Sequence, residues 1–340
     1  MYQAEYKGIN AFLRETCRLI LMEGVCRETR GRICYELPQP MMIKITHPTA
    51  RLVTIPERNW YAPLAYGESL WLASGRNNMD YINLYGSNMR NFSDNGETMR
   101  GGYGPRFRHY NGCETDYDIH NMCKEMRTEV DQFRYVVECF KKDINTRQAI
   151  INIGDPVKDC FNEGRHLKVT KDIPCTRMLH FIKDAKENKL NLIVSMRSND
   201  LIWGASAVNI FNFTFMQEYF AAILGLEVGS YYHIADNLHY YDNMKQMIES
   251  IAFADKVEDS DFEYDKTFHS LNEFDKFIQE LTNEENKMRV EGNNYKYHQF
   301  SDPFIQDWYN VLYRKITVHQ TNAVIFLSCR AYSLSLSLLF

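Results

Sequence analysis

Asp172-Ile173-Pro174-Cys175-Thr176 is the stretch on which the reading of this chain turns. Downstream, Met178-Leu179-His180-Phe181-Ile182 and Leu190-Asn191-Leu192-Ile193-Val194-Ser195-Met196 have the composition of strands joined by a charged turn from Lys183 to Lys189; upstream, Lys168-Val169-Thr170 reads as a third. Pro174 fixes φ just ahead of Cys175, so the sulfur sits on a stiff backbone and can be aimed. The polar cluster Arg197-Ser198-Asn199-Asp200 closes the β-rich run and can bring an arginine beside that sulfur. A neighbouring guanidinium favours thiolate and would make Cys175 a nucleophile. One cysteine among nine is, on composition alone, more often a small buried apolar group.

The bulk properties narrow the class. With 340 residues, 45% of them hydrophobic and 14% aromatic, the chain can bury a large core. No composition break or Pro/Gly/Ser linker divides it, so residues 1–320 read as one domain, followed by an almost uncharged tail at 321–340 that is given no function. A net charge of −5 argues against a general nucleic-acid binder, while local arginines can still hold a small phosphate. The cysteines are odd in number, scattered and free of CxxC spacing, which disfavours a disulfide framework or a zinc site and fits a reducing, cytoplasmic setting. Glu5, Lys7, Arg14 and Glu15 interrupt the apolar positions of the N-terminus, which therefore reads as neither signal peptide nor membrane span.

Along the chain, residues 9 to 24 have the spacing of an amphipathic helix, and Arg27-Glu28-Thr29-Arg30-Gly31-Arg32 reads as a basic loop before the strand Ile33–Leu37. In Tyr66-Gly67-Glu68-Ser69-Leu70-Trp71-Leu72, helical spacing places Glu68 on the face of Trp71 and Leu72. A carboxylate along an apolar stripe usually pairs with a cation or handles a proton. A helix from Asp131 to Phe140 leads through Asp143–Gln148 to a strand at Ala149–Ile153. Asn212 to Leu224 reads as a buried core helix, Val228 to Ile234 as a strand, and alternation places His239 and Tyr241 on one face. Asp242 to Arg289 reads as charged and helical, with Glu284-Glu285-Asn286-Lys287 on a solvated face.

The order Pro174-Cys175, Arg197-Ser198-x-Asp200, Gly204 with Asn209, and His239-x-Tyr241 resembles the thymidylate synthase family, whose signature elements occur in this order at similar spacing. The resemblance covers roughly residues 9 to 243 and implies an α/β (α+β) fold, a twisted sheet packed with helices and dimerising through the sheet. It implies that Cys175 adds to C6 of a pyrimidine nucleoside monophosphate, dUMP favoured, and that C5 then takes a one-carbon unit from 5,10-methylenetetrahydrofolate. Arg197 would depress the Cys175 pKa and, with Ser198, Arg147 and either Arg27 or Arg30, bind the phosphate. Asp200 and Asn209 would orient the base, His239 and Tyr241 the sugar, Glu68 would support proton transfers, and Arg58 stands where the family has a cation for the folate's glutamyl tail. Arg100 to Arg108 resembles the family's Tyr-Gly-x-x-x-Arg element on the active-site floor, and Arg147 lies in a turn that reaches a partner subunit's phosphate in the family, implying a homodimer with shared sites. No metal is implied.

Several positions depart from the usual pattern. Thr176 stands where common members have histidine, Met196 where they have glutamine, Gln148 where they have a second arginine, and one extra residue separates Gly204 from Asn209. No tryptophan lies between Trp71 and Trp203, where the family has one against the folate, and the family's closing tail is not recognisable. A less enclosed folate admits water, so the expectation favours hydroxymethylation over reductive methylation to dTMP. A true thymidylate synthase, or a catalytically silent nucleotide-binding homologue, are the alternatives; uracil versus cytosine and ribose versus deoxyribose stay open.

Overall fold

The computed structural model describes residues 1–29, 31–111, 129–162, 164–255 and 257–317, so Arg30 and the 321–340 tail lie outside the described residues. The strands are β1 Tyr2–Tyr6, β2 Val25–Thr29, β3 Arg32–Glu36, β4 Met41–Ile45, β5 Tyr110–Asn111, β6 Glu129–Val130, β7 Ile150–Asn152, β8 Thr176–Lys183, β9 Lys189–Met196, β10 Asn199–Asp200, β11 Glu227–Ala235 and β12 Leu238–Tyr241. The helices are α1 Ile9–Glu23, α2 Ala62–Ala73, α3 Met79–Tyr85, α4 Tyr103–Arg108, α5 Gln132–Lys142, α6 Pro156–Asp159, α7 Ile210–Leu224, α8 Lys245–Ala252, α9 Leu271–Glu291 and α10 Pro303–Thr317, with a π-helix at Leu201–Asn209 leading into α7.

A mixed six-stranded sheet in the order β1-β4-β11-β9-β8-β7 forms the frame, and a smaller sheet, β10-β12-β3-β2, stands beside it. Alternation along the strands gives the large sheet two unlike faces. One face carries the register row Ile43, His233, Val194 and Leu179, and next to it Ile45, Tyr231, Leu192 and Phe181, all buried. The other carries Met42, Ile234, Ser195 and Met178, with Tyr232, Ile193 and His180 in the neighbouring row, all half-buried. The buried face is covered by α7, whose Phe211, Phe213, Phe215, Tyr219 and Phe220 are apolar all round, as a helix inside a core must be. Its end is set by Gly225 at φ 67°, a left-handed position that glycine takes without a Cβ penalty.

Sequence and structure agree on α1, α2, α5, β8, β9, β11 and α7. Asp131 caps α5 by accepting from the amides of Phe133 and Arg134, and Lys141 and Lys142 in its last turn complement the helix dipole. Four expectations are corrected. Lys168–Thr170 is not a strand: Val169 is 96% exposed, and the segment is held by an isolated bridge next to it, Phe161 to Leu167, by the Lys168 amide donating to the Cys160 carbonyl, and by the Thr170 hydroxyl between Arg100 and Asp94. Arg27 to Thr29 is not loop but the edge strand β2, paired in register with β3. Residues 257–269 are irregular rather than helical, and the Glu284-Glu285 pair on α9 is buried, not solvated. Glu285 accepts from the Tyr85 hydroxyl and pairs with Arg289, and Glu284 pairs with Lys287, so partners four and three residues along the helix make their burial tolerable.

Candidate active site

The Cys175 loop is held by its own backbone oxygens. Arg197 donates from Nη2 to the Ile173 carbonyl at 2.8 Å and from Nε to the Pro174 carbonyl at 3.1 Å, while its amide donates to the Cys175 carbonyl at 2.9 Å. Arg100 donates to the Asp172 carbonyl, and the Gly101 amide donates to the Asp172 carboxylate at 2.6 Å. Four consecutive carbonyls are thus each satisfied, and the Thr176 amide donates to the Tyr103 hydroxyl at 3.1 Å. Gly101 is required here by proximity: a Cβ would lie 2.9 Å from Pro174 Cδ and 3.0 Å from the Asp172 carboxylate. Arg100 in turn shares Asp159 with Arg106, a fully buried arginine bonded to both carboxylate oxygens. Burial opposes ionisation of Asp159, but these guanidiniums outweigh it and hold its carboxyl below the usual range. Cys175 itself is half-buried, on the rim of the core rather than inside it.

The two departures from the family pattern nearest to this loop face each other. Thr176 and Met196 are register partners at the start of β8 and the end of β9, both buried, with a bulge between Thr176 and Met178. Among the described residues the Thr176 hydroxyl has no hydrogen-bond partner.

The turn after β9 feeds the π-helix. Asp200 accepts from the amides of Ile202 and Trp203 at 2.8 and 3.0 Å, and burial raises its carboxyl pKa against those amides and the nearby His239. π-helical winding, with each amide reaching back five residues, absorbs the extra residue between Gly204 and Asn209; the Ile210 amide bonds to the Ala205 carbonyl in this way. The insertion therefore leaves Asn209 facing Asn199, whose Nδ2 donates to Asn209 Oδ1 at 2.8 Å. A Cβ on Gly204 would come within 2.5 Å of Asn199 Nδ2 and 2.9 Å of Asn209 Oδ1, which explains glycine at this position. Trp203, the first tryptophan after Trp71, stands 53% exposed in the first turn of the π-helix.

Arg58 is placed differently from expectation. It is buried, and its guanidinium donates to Ser206 Oγ at 3.1 Å and to the Ile202 carbonyl at 2.8 Å. Burial lowers its pKa to about 10. Arg58 thus braces the π-helix from within rather than presenting a surface cation to a glutamyl tail. Trp60 helps it, donating to the Ala207 carbonyl at 2.8 Å.

The small sheet carries the remaining side chains. His239 and Tyr241 share one face of β12, their rings edge to face at 5.3 Å, and the Arg32 guanidinium lies 3.6 Å over the Tyr241 ring. Asn237 donates from Nδ2 to Glu36 at 2.7 Å, which leaves its Oδ1 to accept from His239 Nδ1 at 2.9 Å and, more distantly, from Ser198 Oγ at 3.5 Å. That arrangement puts the proton of neutral His239 on Nδ1 and leaves Nε2 as an acceptor. Arg27, exposed on β2, pairs with the other oxygen of Glu36 at 2.6 Å. On α2, burial raises the Glu68 carboxyl to about 7, against a hydrogen bond with Asn212. Asn212 also accepts from Ser69 and lies three residues past Asn209 along the same helical run. Arg147 is apart from these groups in a single chain, exposed in the turn before β7 at the edge of the large sheet.

Sequence reasoning missed the roles of four residues: Arg100 and Tyr103, which hold the Cys175 loop, and His233 with Asn199, which hold Asn209. The first two stood inside the glycine-rich stretch already singled out; His233 sits in an apolar strand, and its contacts are set only by tertiary packing. No group of His, Cys, Asp and Glu fit to hold a metal occurs among the described residues, and the six cysteines there are free thiols. No described helix is long and apolar enough to cross a membrane.

The loop of Cys175 is clamped by two arginines, and a carboxylic acid, two asparagines and an imidazole stand on α2, the π-helix and the strands, in a mixed α/β fold. The chain belongs to the thymidylate synthase family: the thymidylate synthase family model matches residues 11–300. It is 37% identical over 222 residues to a deoxyuridylate hydroxymethyltransferase of Bacillus phage SP01, covering 65% of this chain and 54% of that protein. A deoxyuridylate hydroxymethyltransferase of Pseudomonas phage M6 is 28% identical over 246 residues, 72% of this chain and 63% of the relative. A putative thymidylate synthase of Methanosarcina mazei is 29% identical over 151 residues, 44% and 57% of the two chains. The chain thus spans between half and two thirds of the length of these relatives.

Proposed function

We propose that this chain transfers a one-carbon unit to C5 of dUMP and releases 5-hydroxymethyl-dUMP. The observation that carries the reading is the clamped Cys175 loop in a chain whose phage relatives are named deoxyuridylate hydroxymethyltransferases. Cys175 sulfur forms a bond to C6, and the electron pair of the C5–C6 double bond moves onto C5 and O4, making C5 the nucleophile. Arg197, already committed to the loop carbonyls, lowers the cost of sulfur's negative charge and, with Ser198, meets the phosphate on the open side. Asn209 reads the base edge, His239 Nε2 and the Tyr241 hydroxyl take the sugar hydroxyl, and Asp200 holds the turn that carries them. Glu68, poised near neutrality, gives and takes the proton at O4 and, through water, the one lost from C5.

The one-carbon donor is 5,10-methylenetetrahydrofolate, as in the family. Since Arg58 faces inward, no residue is assigned to the folate's glutamyl tail. Once tetrahydrofolate has left, the carbon on C5 is an exocyclic methylene. Water adds to it, losing a proton, and expulsion of the Cys175 thiolate restores the C5–C6 double bond. The buried Thr176–Met196 pair, in place of histidine and glutamine, supports a site whose water differs from that of a methylating relative. The half-buried outer face of the large sheet, with Met42, Ile234, Tyr232 and Ile193, supports a homodimer in which Arg147 reaches the partner's phosphate.

Incubation with dUMP and methylenetetrahydrofolate tests the reaction. A product heavier than dUMP by CH2O is expected; one heavier by CH2, with dihydrofolate, makes the protein a methylating enzyme instead. Absence of any product, together with no covalent adduct between Cys175 and 5-fluoro-dUMP, leaves a silent nucleotide-binding homologue.

A further inference from the structure

Behind Asn209 runs a buried chain of hydrogen bonds. The Tyr231 hydroxyl meets His233 Nδ1 at 2.8 Å, His233 Nε2 meets Asn199 Oδ1 at 2.9 Å, and Asn199 Nδ2 meets Asn209 Oδ1 at 2.8 Å. Tyr231 and His233 are neighbours on the core face of β11, and Tyr231, His233 and Asn199 are 0%, 3% and 3% exposed. Burial keeps His233 neutral, lowering its pKa to about 4, so it carries one proton on one nitrogen.

Which nitrogen follows from the far end of the chain. His233 is the only hydrogen-bond partner of the Tyr231 hydroxyl among the described residues. A buried hydroxyl that does not donate loses a hydrogen bond it had in water, so Tyr231 donates to Nδ1. Nε2 then carries the proton and donates to Asn199 Oδ1, which turns Asn199 Nδ2 toward Asn209 Oδ1. Asn209 is left with a free lone pair on Oδ1 and an Nδ2 that has no hydrogen-bond partner among the described residues. That pair of groups matches the N3–H and O4 of uracil. Cytosine presents the opposite pair and needs the amide reversed; the reversal sets two NH2 groups against each other unless Asn199 and His233 also reverse, which leaves the Tyr231 proton without an acceptor.

We propose that Tyr231, His233 and Asn199 are positioning residues that lock the Asn209 amide in the orientation reading uracil, making base choice a property of a buried tautomer rather than of Asn209 alone. The inference rests on the reading of the site as a pyrimidine-nucleotide site with Asn209 at the base.

Tyr231→Phe keeps the ring and removes only the proton that sets the direction. Equilibrium binding of dUMP and of dCMP to the full chain is the first measurement. The dUMP-over-dCMP preference is expected to fall about tenfold, chiefly through tighter dCMP binding, with the melting behaviour of the variant recorded beside it. A merely structural role for Tyr231 would weaken both nucleotides alike, and an unchanged ratio overturns the proposal. The second measurement needs no nucleotide: 15N NMR of imidazole-labelled protein, the His233 signals identified with a His233→Gln variant. A neutral ring protonated on Nε2 is expected in the wild-type chain, and protonation on Nδ1 overturns the relay. If neither nucleotide binds the wild-type chain, the nucleotide reading of the site fails, and the tautomer still decides whether the relay has the stated direction.

Discussion

Arg197 Nη2 donates to the Ile173 carbonyl at 2.8 Å, and its Nε reaches the next carbonyl along, that of Pro174. One planar side chain therefore sets the path of the two residues before the nucleophile. A rigid fork can do this where a single ammonium cannot, because two acceptors a residue apart need two donors in one plane. Arg197→Lys retains the charge and gives up the second bond. The rate of adduct formation between Cys175 and 5-fluoro-dUMP is expected to fall roughly ten- to a hundredfold, the equivalent of about 1–3 kcal/mol for a carbonyl left without its donor. Single-turnover mass spectrometry measures it. A variant as fast as the parent would mean that charge alone, not the clamp, readies the sulfur.

Glu68 gives a pH signature. Its folded carboxyl titrates near 7, above the ordinary value, because burial disfavours the charged form. Between the ordinary carboxyl range and about 7 the folded protein holds a proton that the unfolded chain has released. Stability thus falls as pH rises through that window and levels off above it. Urea unfolding across the window is expected to show this decline in the wild-type chain and a flatter profile in Glu68→Gln. The same substitution should remove a limb near 7 from the pH dependence of kcat/KM; a limb that survives it belongs to another group.

The elements of this chain differ in how plainly their sequence announces them. The β8–β9 hairpin, α7 and the His239–Tyr241 face were legible because hydrophobic period and local turn chemistry decide them. The Cys175 loop was legible as a proline–cysteine step, but not the means of holding it: Arg100 lies seventy-two residues from the Asp172 carbonyl it binds. Lys168–Thr170 has strand composition yet finds no partner strand among the described residues, and β propensity without a partner does not make a strand. The extra residue before Asn209 could be counted in the sequence, but its consequence depended on π-helical winding, which no local pattern announces. The burial of Arg58 and of Glu284-Glu285 went unforeseen for one reason. Charged side chains read as solvated until their buried partners are known.

Arg58→Gln separates a brace from a ligand contact. Removing a buried guanidinium that serves Ile202 and Ser206 is expected to cost about 1–3 kcal/mol of unfolding free energy, read from urea titration. Because Arg58 faces the core, monoglutamyl and polyglutamyl folates should lose affinity by the same factor. A loss confined to the polyglutamyl form would restore Arg58 to the surface role that its sequence position suggested.

Gly204→Ala tests the asparagine pair by space alone. In an ordinary helix interior this substitution stabilises, since alanine loses less backbone entropy than glycine, by up to about 1 kcal/mol. At this position the new methyl lands within 2.5 Å of Asn199 Nδ2, closer than a Cβ contact can be, so the Asn199–Asn209 bond must open. The backbone of the π-helix is under no such constraint, because Gly204 does not occupy the left-handed region. The expectation is a folded variant, melting within a few degrees of the parent, whose dUMP affinity is about tenfold weaker because Asn209 has lost the partner that orients it. Calorimetric titration with dUMP alongside a melting curve decides the matter. An unfolded variant would place the damage in the helix, and a folded one with parental affinity would mean that Asn209 is oriented by something other than Asn199.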